Sequence, residues 1–462
     1  MSGASSSGES VDDVGVLPQV RRTTRWTRLW RPFWVLPMTF VLVATVVGVL
    51  LPEWEQTVDE HLPFVFQGGA DGARGMLSTI AGAMISVTGL VFSITMVVIQ
   101  LASSQFSPRV LTDFLSSRIT QATLGIFAAT FTYALTVLRS VQGASGEESF
   151  VPQISVTVGF LLVLASVGTF LAFIQHITTS IQVSSIVSHL GDSTVDVVDR
   201  YFPAADEPAA LRPQPAWDPA PAEPQLVLEA QEHGYVVEVA HRRLVDWAVE
   251  HDAVVEVLLP VGRFVTEGTP ALRIFGLPLP QRVLVLGADA ADPTGDGTHA
   301  ELARRHDLDA VRRCVVVEQD RVFNQDPALG VRKLVDIGER ALSPGINDPT
   351  TASQVTDEIH RILRLLITRR DLPSVLEHEG QVRLVHRPQR VSELVDLSLE
   401  ELLHYAEESL QVPRQVGDVI DALRPVALPG YAPVLDHWGQ VAGRLAREAA
   451  AEVERMPGGG GA

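Results

Sequence analysis

Hydrophobic and polar positions divide the chain into two regions of different period. In the first, uncharged runs rich in Val, Ile, Leu, Phe and Ala recur at about 33–51, 76–101, 119–138 and 154–177. Each is long enough to cross a hydrocarbon core of roughly 30 Å as a helix. The longest uninterrupted stretch is 75–108, with no ionisable side chain between Arg74 and Arg109. As one helix rising 1.5 Å per residue it would extend about 50 Å, so it overshoots the bilayer. In the second region, short Val-rich runs between 226 and 285 read as strands around one short helix. From 298 to 455 the pattern is mainly helical, with apolar sets such as Val331, Leu334, Val335, Ala341, Leu342 and Val355, Ile359, Ile362, Leu363, Leu366.

Along the second span, small and polar residues recur at alternating steps of three and four: Thr79, Gly82, Ser86, Gly89, Ser93, Met96, Gln100, Ser103 and Ser107. That step keeps them on one helix face. In an otherwise apolar helix such a face either packs closely on another helix or borders water. The first reading makes it a seam of a non-conducting sensor or scaffold whose cytoplasmic part binds a partner. The second makes it the lining of a homo-oligomeric ion channel or pore-type transporter. Gly82 and Gly89, seven apart, suit both.

Flanking charge sets a topology. Residues 1–20 read as a disordered tail. Arg21, Arg22, Arg25, Arg28 and Arg31, interleaved with Trp26, Trp30 and Trp34, lead into the first span and hold that flank in the cytoplasm. The loop after the first span is mostly acidic (Glu53, Glu55, Asp59, Glu60, Asp71) and is expected outside, where it would concentrate cations. Arg109 and Arg118 then mark an inner loop. A third span with Thr120, Thr123, Thr130, Thr132 and Thr136 and a fourth complete a transmembrane domain over 21–190. Both termini are expected inside a bacterial cytoplasmic membrane. Apolar positions continue past the fourth span through Ile181, Val183, Val187 and Leu190, predicting a helical extension, rigid coupler or plain spacer.

A Pro, Ala and acid-rich linker is expected over 191–225, then a small β-barrel-like domain over 226–290, a mainly helical cytoplasmic domain over 298–455 and a flexible tail over 456–462. The segment PVGRFVTEGTPALRIF resembles the barrel-sandwich hairpin of biotinyl and lipoyl carrier domains. It has no lysine to acylate, which removes a carrier role. The turn-rich 289–297 loop lacks the oxygen array of a calcium-binding EF-hand.

Ser343, Pro344, Gly345, Asn347 and Asp348 form the most distinctive soluble stretch. Asp348 followed by Pro349 is a helix start, so the segment reads as a tight helix corner. The functional alternative is a loop whose amides hold an ion, a phosphate or a partner. Glu401 and His404 have the Glu-x-x-His spacing of di-iron bundles, without the second pair and carboxylates such a site needs. No HExxH, GxSxG, GxxxxGK[ST] or GxGxxG in a suitable setting occurs. The chain is therefore read as no enzyme, with no cofactor and no metal.

The 462 residues include 46% hydrophobic ones and have a net charge of −19, which argues against nucleic acid as a partner. One cysteine, Cys314, rules out an internal disulfide and suits a reducing compartment. Lys333 is the only lysine. The runs ISVTGLVFSITMVVIQLASSQFSPRVL and GERALSPGINDPTTA together resemble the two signatures of a widespread bacterial family of predicted membrane proteins, domain of unknown function 2254. The resemblance implies an architecture and supplies no catalytic residue. The expected fold is thus an α-helical integral membrane protein of four transmembrane helices with a cytoplasmic α+β region. Its expected partners are the lipid bilayer, further copies of itself, and a small ion or a cytoplasmic protein.

Overall fold

A computed structural model describes residues 32–57, 66, 68–105, 118–141, 150–180, 182–207, 217, 226–277, 284–286 and 306–455, with backbone alone at 101–105, 180 and 284–286. The chain divides into two compact units, one within 21–186 and one that includes 187–462. Four helices form the first: α1 (Val35–Glu55), α2 (Ala70–Gln105), α3 (Arg118–Ser140) and α4 (Gln153–Ser180). All four are long and apolar enough to span a bilayer.

The helix at the centre of this unit is α3, although the sequence draws attention to α2. Half of the apolar window of α3 is buried, against 22% for α2 and 17% for α1 and α4. Side chains such as Thr123, Thr130 and Tyr133 are accommodated there by hydrogen bonds to their own helix or to α4. Thr130 Oγ1 lies 2.8 Å from the carbonyl of Ile126 and 3.1 Å from Ser166 Oγ of α4. Tyr133 donates from its hydroxyl to the carbonyl of Ser155 at 2.9 Å. Glycine permits the crossing of α1 and α3. A Cβ on Gly125 would lie 2.8 Å from Phe40, and one on Gly48 would lie 3.1 Å from Thr136.

The start of α4 is capped from another helix. Glu55, at the end of α1, accepts from the Ile154 amide at 2.7 Å, the Ser155 amide at 3.2 Å and the Ser155 hydroxyl at 3.0 Å. A carboxylate there satisfies orphan amides and complements the positive end of the helix dipole.

The second unit includes most of α5 (Val183–Tyr201), which follows the fourth span. Helix therefore continues to Tyr201, past the 191 boundary expected for the linker. It is packed into the second unit, with Val187, Leu190, Thr194, Val197, Val198 and Tyr201 all buried. Then come β1 (Leu226–Glu229), β2 (Gly234–Val239), α6 (His241–Glu250), β3 (Val254–Val257), β4 (Phe264–Val265), β5 (Pro270–Phe275), β6 (Leu284–Leu286), α7 (Leu308–Arg312) and β7 (Val315–Glu318). After them follow α8 (Pro327–Leu342), α9 (Pro349–Leu366), β8 (Val375–His378), β9 (Gln381–Val385), α10 (Val391–Tyr405), α11 (Gln411–Leu423) and α12 (Ala432–Arg455).

The expected small barrel is not a closed barrel. One sheet has six strands in the order β6-β1-β5-β3-β9-β8 and the other three in the order β4-β2-β7. The reason lies in non-local pairing. Strand β9, more than a hundred residues downstream, pairs in parallel with β3 through Val255 with Leu384 and Glu256 with Val385. The sheet is thereby extended sideways instead of curling onto itself. Alternation in β1 and β3 then places Leu226, Leu228, Val255 and Val257 in a shared core with Leu244 and Trp247 of α6 and Leu376 and Leu384 of the late hairpin. The loop at 289–297 lies outside the described residues.

Candidate functional site

In α2 the two faces are opposite in character. Ala73, Leu77, Ile80, Ala81, Met84, Val91, Thr95 and Val98 are buried within the chain. Thr79, Gly82, Ser86, Gly89, Ser93, Met96 and Gln100 are exposed. The small and polar face therefore points away from the chain's own bundle. A Cβ built on Gly75, Gly82 or Gly89 meets nothing within 4 Å. Ser103 belongs to the helix, and its side chain, like all of Ser107, lies outside the described residues.

The outward faces of the other peripheral spans differ. Helix α1 exposes Met38, Leu42, Val46 and Leu50, and α4 exposes Phe160, Leu161, Leu164 and Leu171 beside the smaller Ala165, Gly168 and Ala172 and the polar Gln175. Large aliphatic and aromatic side chains of this kind suit lipid tails. The α2 face also carries bulky neighbours at Ile85, Leu90, Phe92 and Val97, which flank the small-residue stripe. Its hydroxyls are internally satisfied where they are paired: Thr79 donates to the carbonyl of Gly75 at 2.7 Å and Ser86 to that of Gly82 at 3.0 Å. A hydroxyl bonded back to its own helix still offers an oxygen lone pair to a cation, yet it does not require water.

The acidic residues around the connection between α1 and α2 serve several ends. Glu55 is engaged as the cap of α4. Asp71 lies 4.0 Å from Arg74, whose guanidinium also donates to the carbonyl of Val141 at 3.2 Å. Glu53 is exposed, and Asp59 and Glu60 fall outside the described residues.

At the helix corner, the structure places Ser343, Pro344, Gly345, Asn347 and Asp348 between α8 and α9. The Asp348 carboxylate accepts from the amides of Thr350 and Thr351, both at 3.1 Å, and from the Thr351 hydroxyl at 2.7 Å. Hydrogen bonds to Thr351 hold the carboxyl below its usual range. The corner's amides are also engaged: Asn347 donates to Ser343 at 2.9 Å and Asp348 to Ala341 at 2.7 Å. Asn347 takes φ +48°, a left-handed turn conformation that asparagine tolerates well.

Glu401 and His404 of α10 do not converge on a metal set. Glu401 pairs with Arg332 of α8, which also binds Asp336 at 2.7 Å and Glu339 at 3.4 Å. His404 lies 3.3 Å from Glu407. Among the described residues no group of three or more His, Cys, Asp or Glu side chains is placed to hold a metal ion. Burial, with a hydrogen bond to Glu401, raises the Glu339 carboxyl to about 7.

Two buried polar clusters escaped the sequence reading. Asp326, the N-cap of α8, receives Arg321 at 2.7 Å, Gln389 Nε2 at 3.1 Å and the Leu329 amide at 3.2 Å. Its signal was present, since Asp326-Pro327 repeats the Asp348-Pro349 helix start. The second is His241 against His386, with ring centroids 4.4 Å apart. His386 Nε2 sits 2.9 Å from the carbonyl of Pro373. Burial pushes His386 down to about 4 and His241 lower than usual, so both are neutral at pH 7. Nothing in local spacing announces this pair, because the two residues are 145 positions apart.

Residues 30–422 match the sequence profile of a family described as predicted membrane protein, domain of unknown function 2254. An uncharacterised protein of Mycobacterium tuberculosis is 32% identical over 342 residues, which is 73% of this chain and 60% of that protein. An uncharacterised protein of Mycobacterium bovis aligns with the same identity and coverage. The chain thus spans about three fifths of the length of the curated relatives it matches. No solved structure matches.

Proposed function

The chain belongs to the family of predicted membrane proteins called domain of unknown function 2254, and from that premise we propose that it is a homo-oligomeric conduit for small ions, lined by α2. We place it in a bacterial cytoplasmic membrane with both termini inside and the C-terminal unit as its regulatory part. One observation carries this reading: the exposed side of α2 bears Thr79, Ser86, Ser93 and Gln100 in a single stripe with Gly82 and Gly89, a denser set of hydroxyl and amide groups than the Ala165, Gly168, Ala172 and Gln175 stripe exposed on α4. Copies arranged around an axis would bring Thr79, Ser86, Ser93 and Gln100 to a shared centre. Their dipoles stabilise a partly dehydrated ion without a deep trap. Selection for cations rests on the outer acidic residues, of which Glu53 is exposed and Glu55 is held by α4. The reading includes no enzymatic step.

Purified protein reconstituted in planar bilayers tests it. The expected result is single-channel current that falls at least tenfold on Ser93→Leu or Gln100→Leu. Silent bilayers, or current indifferent to both changes, would remove the proposal.

A second reading is favoured by the back-bonded hydroxyls of Thr79 and Ser86. Because they need no water, the same face also suits a dry seam between copies in a non-conducting scaffold. Dimers or higher oligomers without conductance are its expected signature.

A further inference from the structure

In the C-terminal unit, α5 lies along α9 with charges facing in register. Asp192 pairs with Arg361 at 2.8 Å, and Asp199 pairs with Arg369 just beyond the end of α9. Between these two pairs the ladder has an unfilled rung. The helical step from Asp192 leads to Val195, and the same step from Arg361 leads to Arg364. Arg364 is exposed and forms no ion pair among the described residues.

A cleft of about 430 Å³ opens at this rung. It is lined by Val195 of α5, by Arg361, Arg364 and Leu365 of α9, and by Thr368 and Val426. Its volume falls within the roughly 300–1,000 Å³ of small-molecule pockets. Thr368 donates its hydroxyl to the carbonyl of Leu365 at 2.7 Å, which leaves its oxygen able to accept. Arg361 is neutralised by Asp192 and Glu358, at 2.8 and 2.7 Å. The cleft therefore combines an apolar lining of Val195, Leu365 and Val426 with one guanidinium that has no carboxylate partner among the described residues.

We propose that this cleft binds an anionic amphiphile, a single carboxylate or phosphate head held by Arg364 with an apolar tail laid on Val195, Leu365 and Val426. The charge pattern selects the head, because a guanidinium without a carboxylate partner is complementary to one negative group. The lining selects the tail, since it would bury apolar surface that the chain leaves open. A ligand of this class couples α5 to α9, and α5 follows the fourth span in the chain. The site is independent of the α2 face, so its failure leaves the conduit reading untouched.

The test uses the full chain in phosphatidylcholine nanodiscs and hydrogen–deuterium exchange of α5 and α9. The probes are decyl phosphate, inorganic phosphate and decanol. Decyl phosphate is expected to slow exchange in both helices, at concentrations at least tenfold below those needed for either of the others. Arg364→Gln is expected to raise the half-protection concentration at least tenfold. Val195→Asp supplies the absent carboxylate to Arg364; it is expected to abolish protection by decyl phosphate while keeping the two helices folded. The same experiment in nanodiscs containing phosphatidylglycerol distinguishes a membrane lipid, which would protect before any probe is added, from a free amphiphile, which would not. Equal protection by inorganic phosphate or by decanol, or an unchanged response in Val195→Asp, would overturn the proposal.

Discussion

Glycines on buried and on exposed helix faces have opposite meanings. In the C-terminal unit Gly191 and Gly330 are places where another helix is already seated, as Gly48 and Gly125 are in the membrane unit. A Cβ on Gly330 of α8 would lie 1.9 Å from Thr194 Oγ1 of α5, and one on Gly191 would lie 2.2 Å from Glu358 of α9. In the membrane unit, Gly82 and Gly89 of α2 face open space to beyond 4 Å. The sequence signal is the same, a small residue recurring on one face. What differs is that no described residue occupies the α2 positions. The α2 face is therefore open, among the described residues, to water and ions or to another copy.

Charge sharpens the contrast first, with the largest expected effect. No ionisable group lies between Arg74 and Arg109, so the α2 face is indifferent to pH, whereas the closed C-terminal unit is not. His386 titrates near 4 when folded and near 6.5 when unfolded. A lowered pKa means the unfolded chain takes up the proton first, so this stability is present above about 6.5. It is lost as pH falls through 6.5 to 4, by about 3 kcal/mol when complete. Denaturant midpoints of the C-terminal unit, read by intrinsic fluorescence across that range, are expected to fall, and His386→Phe is expected to flatten the fall.

Filling an occupied glycine comes next. Gly330→Ala must displace Thr194 and is expected to destabilise the C-terminal unit by about 1–3 kcal/mol. A denaturation midpoint unchanged from the parent would mean that Thr194 is not seated against Gly330. Removing the corner cap by Asp348→Ala is expected to cost about 1 kcal/mol, since the carboxylate satisfies two amides of α9. The smallest effect has the opposite sign: Gly82→Ala in α2 meets no atom and gains helix propensity, about 0.5–1 kcal/mol in favour of the helix. Thermal melts in detergent would measure it, and a loss of stability would mean that the face is already packed.

Much of the membrane unit was legible in the sequence because apolar length and charge gaps are local signals. Spans read at about 33–51 and 119–138 became Val35–Glu55 and Arg118–Ser140. What was not legible is which helix sits at the centre. Thr123 and Thr130 of α3 look polar in the sequence, and their partners Thr169 and Ser166 on α4 are what accommodate their burial. In the C-terminal unit the Val-rich strands were visible, while the parallel pairing of β3 with β9 was not, since no local pattern encodes a neighbour more than a hundred residues away. The candidate face on α2 was read residue by residue; its outward orientation required knowing that Leu77, Met84 and Val91 point inward.

Thiol labelling along α2 decides whether its small and polar face meets water. Cys314, the chain's one cysteine, is buried and is first replaced by serine. Single cysteines are then introduced at Ser86, Ser93, Gln100, Ile85 and Val91, and a membrane-impermeant, water-soluble maleimide is applied to both sides of sealed proteoliposomes. A water-lined face gives rapid labelling at 86, 93 and 100 and protection at the apolar flank position 85 and at 91, which packs with Phe127 of α3 and Phe173 of α4. Uniform protection at all five positions would contradict it and leave a dry seam between copies as the role of the face.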